Sequence, residues 1–288
     1  MKIGAFVPLA AYNANPAFLR TLGPALEERG FESVWLPEHV VLFDEYESRY
    51  PYAPDGRFPG SGDSGLLEPL TALTYLAAVT DTLRLGTGIC LVPQRNPVYT
   101  AKQVADLDVL SDGRVEFGIG VGWLREEFEA LGMPFERRGQ RAREHIEVMR
   151  SLWTDEVSSH DGSLYPLRPC RQYPKPVQQP HPPIHVGGES DAALRRAADL
   201  GQGWYGFNRT PDEVPEALAR LDQILAERGR SRGELTISIC PYFKGIDRAA
   251  MERYAELGVD RVIVLVFAVD PDGLRNTLDQ LATELLPA

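Results

Sequence analysis

Eight short apolar runs punctuate this chain, at 2–7, 31–36, 83–92, 114–119, 183–187, 202–207, 235–240 and 261–267, and helix patterns fill the intervals between them. The best defined example runs from Leu83 to Trp123. An apolar, glycine-punctured run leads to a turn at Pro93–Pro97. Val98, Ala101, Val104, Ala105 and Leu107 then recur near helical spacing, Ser111-Asp112-Gly113 breaks the pattern, and a second apolar run follows. Strand, helix and strand within about forty residues form a βαβ unit of a parallel sheet. Eight such strands predict a (β/α)8 barrel, with a doubly wound sheet as the alternative. In either architecture the chemistry belongs at the carboxyl ends of the strands.

The helices carry legible boundaries. Asn15 and Pro16 open a helix that Gly30 closes, Glu68 and Pro69 open the next, Ser190 or Asp191 begins another, and Asp270-Pro271 opens the last. Further helices are expected at 124–131, 137–152, 211–228 and 247–257. Two stretches interrupt the rhythm. Residues 38–67, after the second strand, hold Phe43, Tyr46, Tyr50, Tyr52 and Phe58 and end in a Gly/Ser-rich run, which suits a lid-like or binding loop. Residues 155–182, before the fifth strand, are rich in proline and carry a hairpin signal at Asp161-Gly162. They read as an insertion in one barrel domain spanning 1–288, because βα units resume directly afterwards.

Composition narrows the function. The net charge of −11 argues against nucleic-acid binding. No apolar run reaches membrane-spanning length, and MKIGAFVPL lacks the layout of a signal peptide. Cys90, Cys170 and Cys240 are odd in number and widely spaced, which indicates neither a disulfide framework nor a zinc site and fits a cytoplasmic protein. His181 and His185 cannot share a helix face across Pro182 and Pro183, so no metal site is expected.

Candidate site residues then follow from strand ends. Glu38-His39 comes directly after the second strand, where a histidine can transfer a proton or bond a cofactor ring. Gly88 sits where the third strand ends, either for a ligand or for a bulge. Cys90, in an apolar run, reads as a structural thiol. Gly118, Gly120 and Gly122 would let a ligand approach the backbone, although Trp123 stands where a dinucleotide fingerprint needs its third glycine. Gly187-Gly188-Glu189-Ser190 joins a strand to a helix start, a natural anion site or a simple capped turn. Arg137, Arg138, Arg141 and Arg143 form a dense basic cluster, either a solvated helix face or a contact for an anionic ligand.

Taken together, SVWLPEH (33–39), residues 85–123, MPFERRGQR (133–141), PPIHVGGES (182–190) and GVDRVIVLVF (258–267) resemble the luciferase-like flavin- and deazaflavin-dependent oxidoreductases over essentially the whole chain, most closely the branch dependent on coenzyme F420. The resemblance implies a (β/α)8 barrel, a homodimer, a small-molecule substrate and a cofactor that carries the chemistry. It places a non-prolyl cis peptide at Gly88-Ile89 behind the cofactor ring and His39 facing that ring. It assigns cofactor contacts to Gly120, Gly122 and Trp123 and the cofactor phosphate to Gly187, Gly188, Glu189 and Ser190, with the 38–67 loop and the 155–182 insertion shaping the substrate pocket. The expected function is hydride transfer between F420 and an organic substrate. The alternatives are an FMN-dependent monooxygenase that activates O2 and a non-catalytic flavin- or deazaflavin-binding protein.

Overall fold

The computed structural model describes residues 1–286. Its strands and helices are β1 (Lys2–Phe6), α1 (Pro16–Glu28), β2 (Ser33–Leu36), α2 (Pro69–Ala77), β3 (Arg84–Thr87), α3 (Pro97–Leu110), β4 (Val115–Ile119), α4 (Arg125–Ala130), α5 (Arg138–Thr154), β5 (Ser158–His160), β6 (Leu167–Cys170), β7 (Ile184–Gly187), α6 (Asp191–Leu200), β8 (Gly203–Phe207), α7 (Val214–Ala226), β9 (Thr236–Cys240), α8 (Arg248–Glu256), β10 (Arg261–Leu265) and α9 (Pro271–Leu285). Eight strands pair in parallel and close, β1 lying against both β2 and β10. The closed sheet is a (β/α)8 barrel and excludes the doubly wound alternative. Strands such as β2, β4 and β7 are buried along their whole length because helices cover one face and the barrel interior the other.

Local chemistry sets the element ends. Asn15 accepts the Phe18 N–H at 3.0 Å, Glu68 accepts those of Leu70 and Thr71, and Asp270 accepts that of Gly273, so each helix start has an acceptor for its free donors. Gly30 turns the chain at φ +79° after α1. Two expectations move. Strand β3 stops at Thr87, not at Val92, because the chain bulges there. Gly88 N–H still bonds Leu36 O, but Cys90 N–H reaches Gly118 O and Cys90 O takes the Gly120 N–H. Helix α7 starts at Val214, not at Pro211, because Glu213 folds back to accept the Thr210 N–H at 2.8 Å and holds a turn ahead of it.

The insertion forms the two-stranded antiparallel β5–β6 and then docks on the outside of the barrel. Gln178 bonds Asp108 of α3 and Val115 O at the start of β4, and Lys175 bonds Leu152 O of α5. It therefore braces the amino-terminal end of β4, and contributes nothing to the cavity described below.

That end of the barrel is filled by charge. Arg261 donates two bonds to Glu32 at 2.9 and 2.8 Å and lies 3.4 Å from Glu116, which also meets Arg84 and His185. Burial pushes the Glu116 carboxyl up, but His185, Arg261 and Arg84 outweigh it and hold the group well below the usual carboxylate range. A carboxylate lowered on folding stabilises the fold above its unfolded value and loses that contribution as pH falls through its folded one. The urea midpoint should thus be flat near neutrality and fall below the ordinary glutamate value of 4.5. Glu116→Gln should flatten that acid limb and cost about 3–5 kcal/mol at pH 7, since it removes the buried carboxylate that Arg84 and His185 meet and that Arg261 shares with Glu32. An unchanged acid limb in the variant would assign the pH dependence elsewhere.

Candidate active site at the carboxyl ends of the strands

The opposite end of the barrel opens into a cavity of ≈ 700 Å³. The 38–67 loop lies over it and contributes His39, Arg49, Tyr50, Tyr52 and Phe58 to its wall. Gly88, Ile89, Gly120, Gly122, Trp123 and the 187–190 turn line the rest, while Gly118 is packed against Thr87 O and does not reach this space.

His39 follows β2 by three residues, and its side chain is 9% exposed. Its Nδ1 lies 3.0 Å from Glu127 Oε2. Glu127, from α4, is wholly buried and accepts further bonds from Gln94 Nε2 at 3.0 Å and the Val40 N–H at 2.6 Å. Burial pushes its carboxyl up, but the bonds from His39, Gln94 and Val40 prevail and hold it below the usual range. An ionised carboxylate only accepts, so Nδ1 of His39 carries the proton and Nε2 keeps a lone pair. Trp123 Nε1 points toward that Nε2 at 3.4 Å.

The Gly88–Ile89 peptide is cis. The Ile89 side chain runs between two of the glycines. A Cβ at Gly120 would overlap Ile89 Cδ1, and one at Gly187 would come within 2.9 Å of it. These two glycines make room for Ile89, which corrects the reading that Gly120 is bare for a ligand alone. Gly122, at φ +76°, offers its carbonyl to Arg138 Nε at 3.2 Å. Trp123 stacks on Phe58 with an interplanar angle of 23°.

Gly188 turns the chain from β7 into α6 at φ +106°, and its carbonyl accepts the Trp204 Nε1–H at 2.9 Å. Ser190 caps α6 by accepting the Ala193 N–H. The Glu189 side chain turns away from the helix start. It accepts the Phe207 N–H at 2.8 Å, lies 3.4 Å from Tyr52 Oη and 3.9 Å from Arg209, and burial pushes its carboxyl up.

The arginine cluster divides. Arg141 bonds the carbonyls of Pro134 and Glu136, Arg143 pairs with Asp199, and Arg137 bonds Gln140. Only Arg138 reaches the cavity, where its guanidinium lies over Phe135. Its companion is Arg196 of α6, which sequence reasoning missed. Arg196 is 8% exposed and lines the cavity, and among the described residues it makes no hydrogen bond and no ion pair. Burial and the charges of Arg143 and Arg138 push its guanidinium down. Half-buried Arg138 at the start of α5 and buried Arg196 midway along α6, two cations without an acid partner among the described residues, suit an anion. Glu127 and Arg209 were also missed. Cys90 stays inert, because burial and then Glu38 push its thiol far up. His185 belongs to the barrel's charged end and His181 faces Pro182 O; no three His, Cys, Asp or Glu side chains among the described residues converge as a metal site requires.

The chain is similar to known proteins. The family pattern of the luciferase-like monooxygenases matches residues 1–272. A protein of Mycobacterium tuberculosis is 34% identical over 260 residues, 90% of each chain. An FMNH(2)-dependent dimethylsulfone monooxygenase of Pseudomonas putida is 32% identical over 183 residues, 62% of this chain and 49% of that one. Among solved structures, a monooxygenase from Streptomyces bottropensis superposes with a TM-score of 0.79 at 22% identity, covering 100% of this chain and 99% of that one. A coenzyme F420-dependent tetrahydromethanopterin reductase from Methanopyrus kandleri does so with a TM-score of 0.75 at 18% identity, covering 99% and 98%. The structural likenesses speak for the barrel, and the matched pattern and the mycobacterial relative go further: the chain belongs to the luciferase-like monooxygenase family.

Proposed function

We propose that this protein is an F420-dependent oxidoreductase that transfers hydride between the deazaflavin and a small organic substrate. The observation that carries the reading is the pair Arg138, the half-buried first residue of α5, and Arg196, buried midway along α6, which line the cavity with no carboxylate partner among the described residues. They fit a phosphate, together with the free N–H groups of the first turn of α6 beyond Gly187, Gly188 and Ser190. Bound against Ile89 and the glycines at 120 and 122, F420 would supply or take up the hydride.

The chain's own residues manage the proton and the water. Hydride transfer between an alcohol and a carbonyl also moves a proton on oxygen. Nε2 of His39, held by Glu127, accepts it in one direction and returns it in the other. Trp123, Phe58 and Tyr50 pack edge to face or stacked around His39 and keep that proton transfer dry. Arg137 supports F420 over FMN. It stands exposed beside Arg138 with only Gln140 as partner among the described residues, where an anionic tail continuing past the phosphate would pass. FMN ends at its phosphate. The FMN-dependent monooxygenase reading keeps support from the family match and the Pseudomonas putida relative.

Paired titrations with F420 and FMN at low and high ionic strength test the choice. F420 should bind more tightly at low salt by on the order of five- to tenfold, each exposed charge pair adding about 1 kcal/mol. The gap should narrow at high salt. Tighter FMN binding at both salts, with oxygen consumption on reduction, would promote the monooxygenase. Binding of either without turnover of any alcohol, ketone or enone would leave a carrier.

A further inference from the structure

Two further arginines, Arg209 and Arg49, line the cavity. Arg209, two residues beyond β8, has its Nε buried without a partner. Its guanidinium comes no nearer than 3.9 Å to Glu189, whose oxygens already serve the Phe207 N–H and Tyr52 Oη. Arg49, on the loop, also lines the cavity, and its only hydrogen bond among the described residues is a long one of 3.4 Å to Asp55 O. Asn208 ties the loop down beside them by donating to Tyr52 O at 3.1 Å. Half-buried Arg209, held no closer than 3.9 Å to Glu189, and exposed Arg49, with only a long bond to Asp55 O among the described residues, leave two guanidiniums at the cavity with room for an anionic partner from outside.

From this point a row of rings leads back to His39. Tyr52 packs against Phe207 with centroids 4.8 Å apart, and Phe207 against Tyr242 at 4.6 Å. Tyr50 meets Tyr52 at 5.5 Å and Phe58 at 5.2 Å, and Phe58 meets His39 at 5.1 Å. The His39 imidazole and the Arg209 guanidinium therefore stand at two ends of an aromatic wall.

We propose that Arg209, assisted by Arg49, receives a carboxylate of the substrate, so that the natural substrate is a planar or aromatic acid whose reacting carbon-oxygen group is held at His39. The proposal rests on the cavity being the reaction site of the proposed function. A carboxylate matches the fork of the guanidinium and is a group that the apolar wall alone would reject. An anionic cofactor tail has the same chemistry, and the test separates the two sources.

The probe pair is 4-acetylbenzoate and its neutral isostere 4-acetylbenzamide, titrated calorimetrically into the protein with its oxidised cofactor, where no hydride is available and nothing turns over. The acid should bind about tenfold or more tightly than the amide, as bonds to a charged group require. Arg209→Met should erase the difference, Arg209→Lys should keep part of it, and Arg49→Met should reduce it. Arg209 makes no side-chain hydrogen bond among the described residues, so the melting curve of Arg209→Met should match the wild type. Should that variant fold poorly, Arg49→Met alone decides. Equal binding of acid and amide, or an unchanged preference in both methionine variants, would overturn the proposal. So would a loss of F420 affinity in Arg209→Met with FMN affinity unchanged, because Arg209 would then hold the cofactor tail. The acid-to-amide ratio is readable whichever cofactor binds, so its failure is distinct from failure of the F420 reading.

Discussion

His39→Ala should lower turnover by about a hundredfold to ten-thousandfold, the range that a positioned general acid–base contributes, with cofactor affinity nearly unchanged. The argument lies in the bonding around Glu127. Its two oxygens serve donors on His39, Gln94 and Val40, with the Val41 N–H at longer range. Glu127→Gln keeps the shape and replaces one acceptor with an amide donor. If the remaining oxygen stays on the Val40 N–H, the new NH2 faces His39 Nδ1 and drives the ring proton to Nε2, where the wild type holds its lone pair. Glu127→Gln should therefore lose nearly as much turnover as His39→Ala, and the double variant should lose little more than either single one. Additive losses in steady-state kinetics would show that Glu127 acts apart from His39. A fall in cofactor affinity alone on His39→Ala would make the histidine a binding residue.

Arg196→Glu should weaken cofactor binding by at least a hundredfold while leaving the fold as stable as before, or more so. Arg196 is buried among cations, with Arg138 and Arg143 both pushing its guanidinium down. A glutamate there supplies the acid those neighbours lack, so the apo protein gains an attractive pair in place of a repulsive one. The cofactor phosphate meets the reverse: a carboxylate in the cavity wall where a cation stood. Thermal melting of the apo protein beside a calorimetric titration reads both effects. A variant that melts normally and binds F420 or FMN with wild-type affinity would move the phosphate away from α6. Coupled losses of stability and affinity would make Arg196 a structural residue.

The barrel was legible because its signals are local. Asn15, Glu68, Ser190 and Asp270 cap helices three residues ahead or fewer, and a run such as Val115–Ile119 is buried on both faces whatever surrounds it. Strand ends also placed His39 and the 187–190 turn, because a closed parallel barrel brings all such ends to one rim. What was illegible depends on distant partners. Glu127 lies in REEFEA, which reads as a solvated acidic helix face until the loop residues 39–41 close over it. Arg196 is one of two adjacent arginines in an amphipathic helix, and only the packing of α5 against α6 tells it from exposed Arg195. Gly120 looked bare because the sequence does not show that Ile89 fills the space beside it.

The doubled duty of Glu127 sets a rule for reshaping this pocket. One oxygen holds the base and the other the backbone of Val40, with Val41 N–H at 3.4 Å, so the first turn of the loop and the orientation of the imidazole move as one unit. Grafts or random libraries that begin at residue 40 should yield folded, ligand-binding, slow proteins. The far half of the loop, from Ala53 to Gly65, is tied to α4 by no bond to Glu126 or Glu127. Diversity introduced there with Phe58 kept, since its ring packs on His39, should change which molecules are accepted without touching the step that handles the proton.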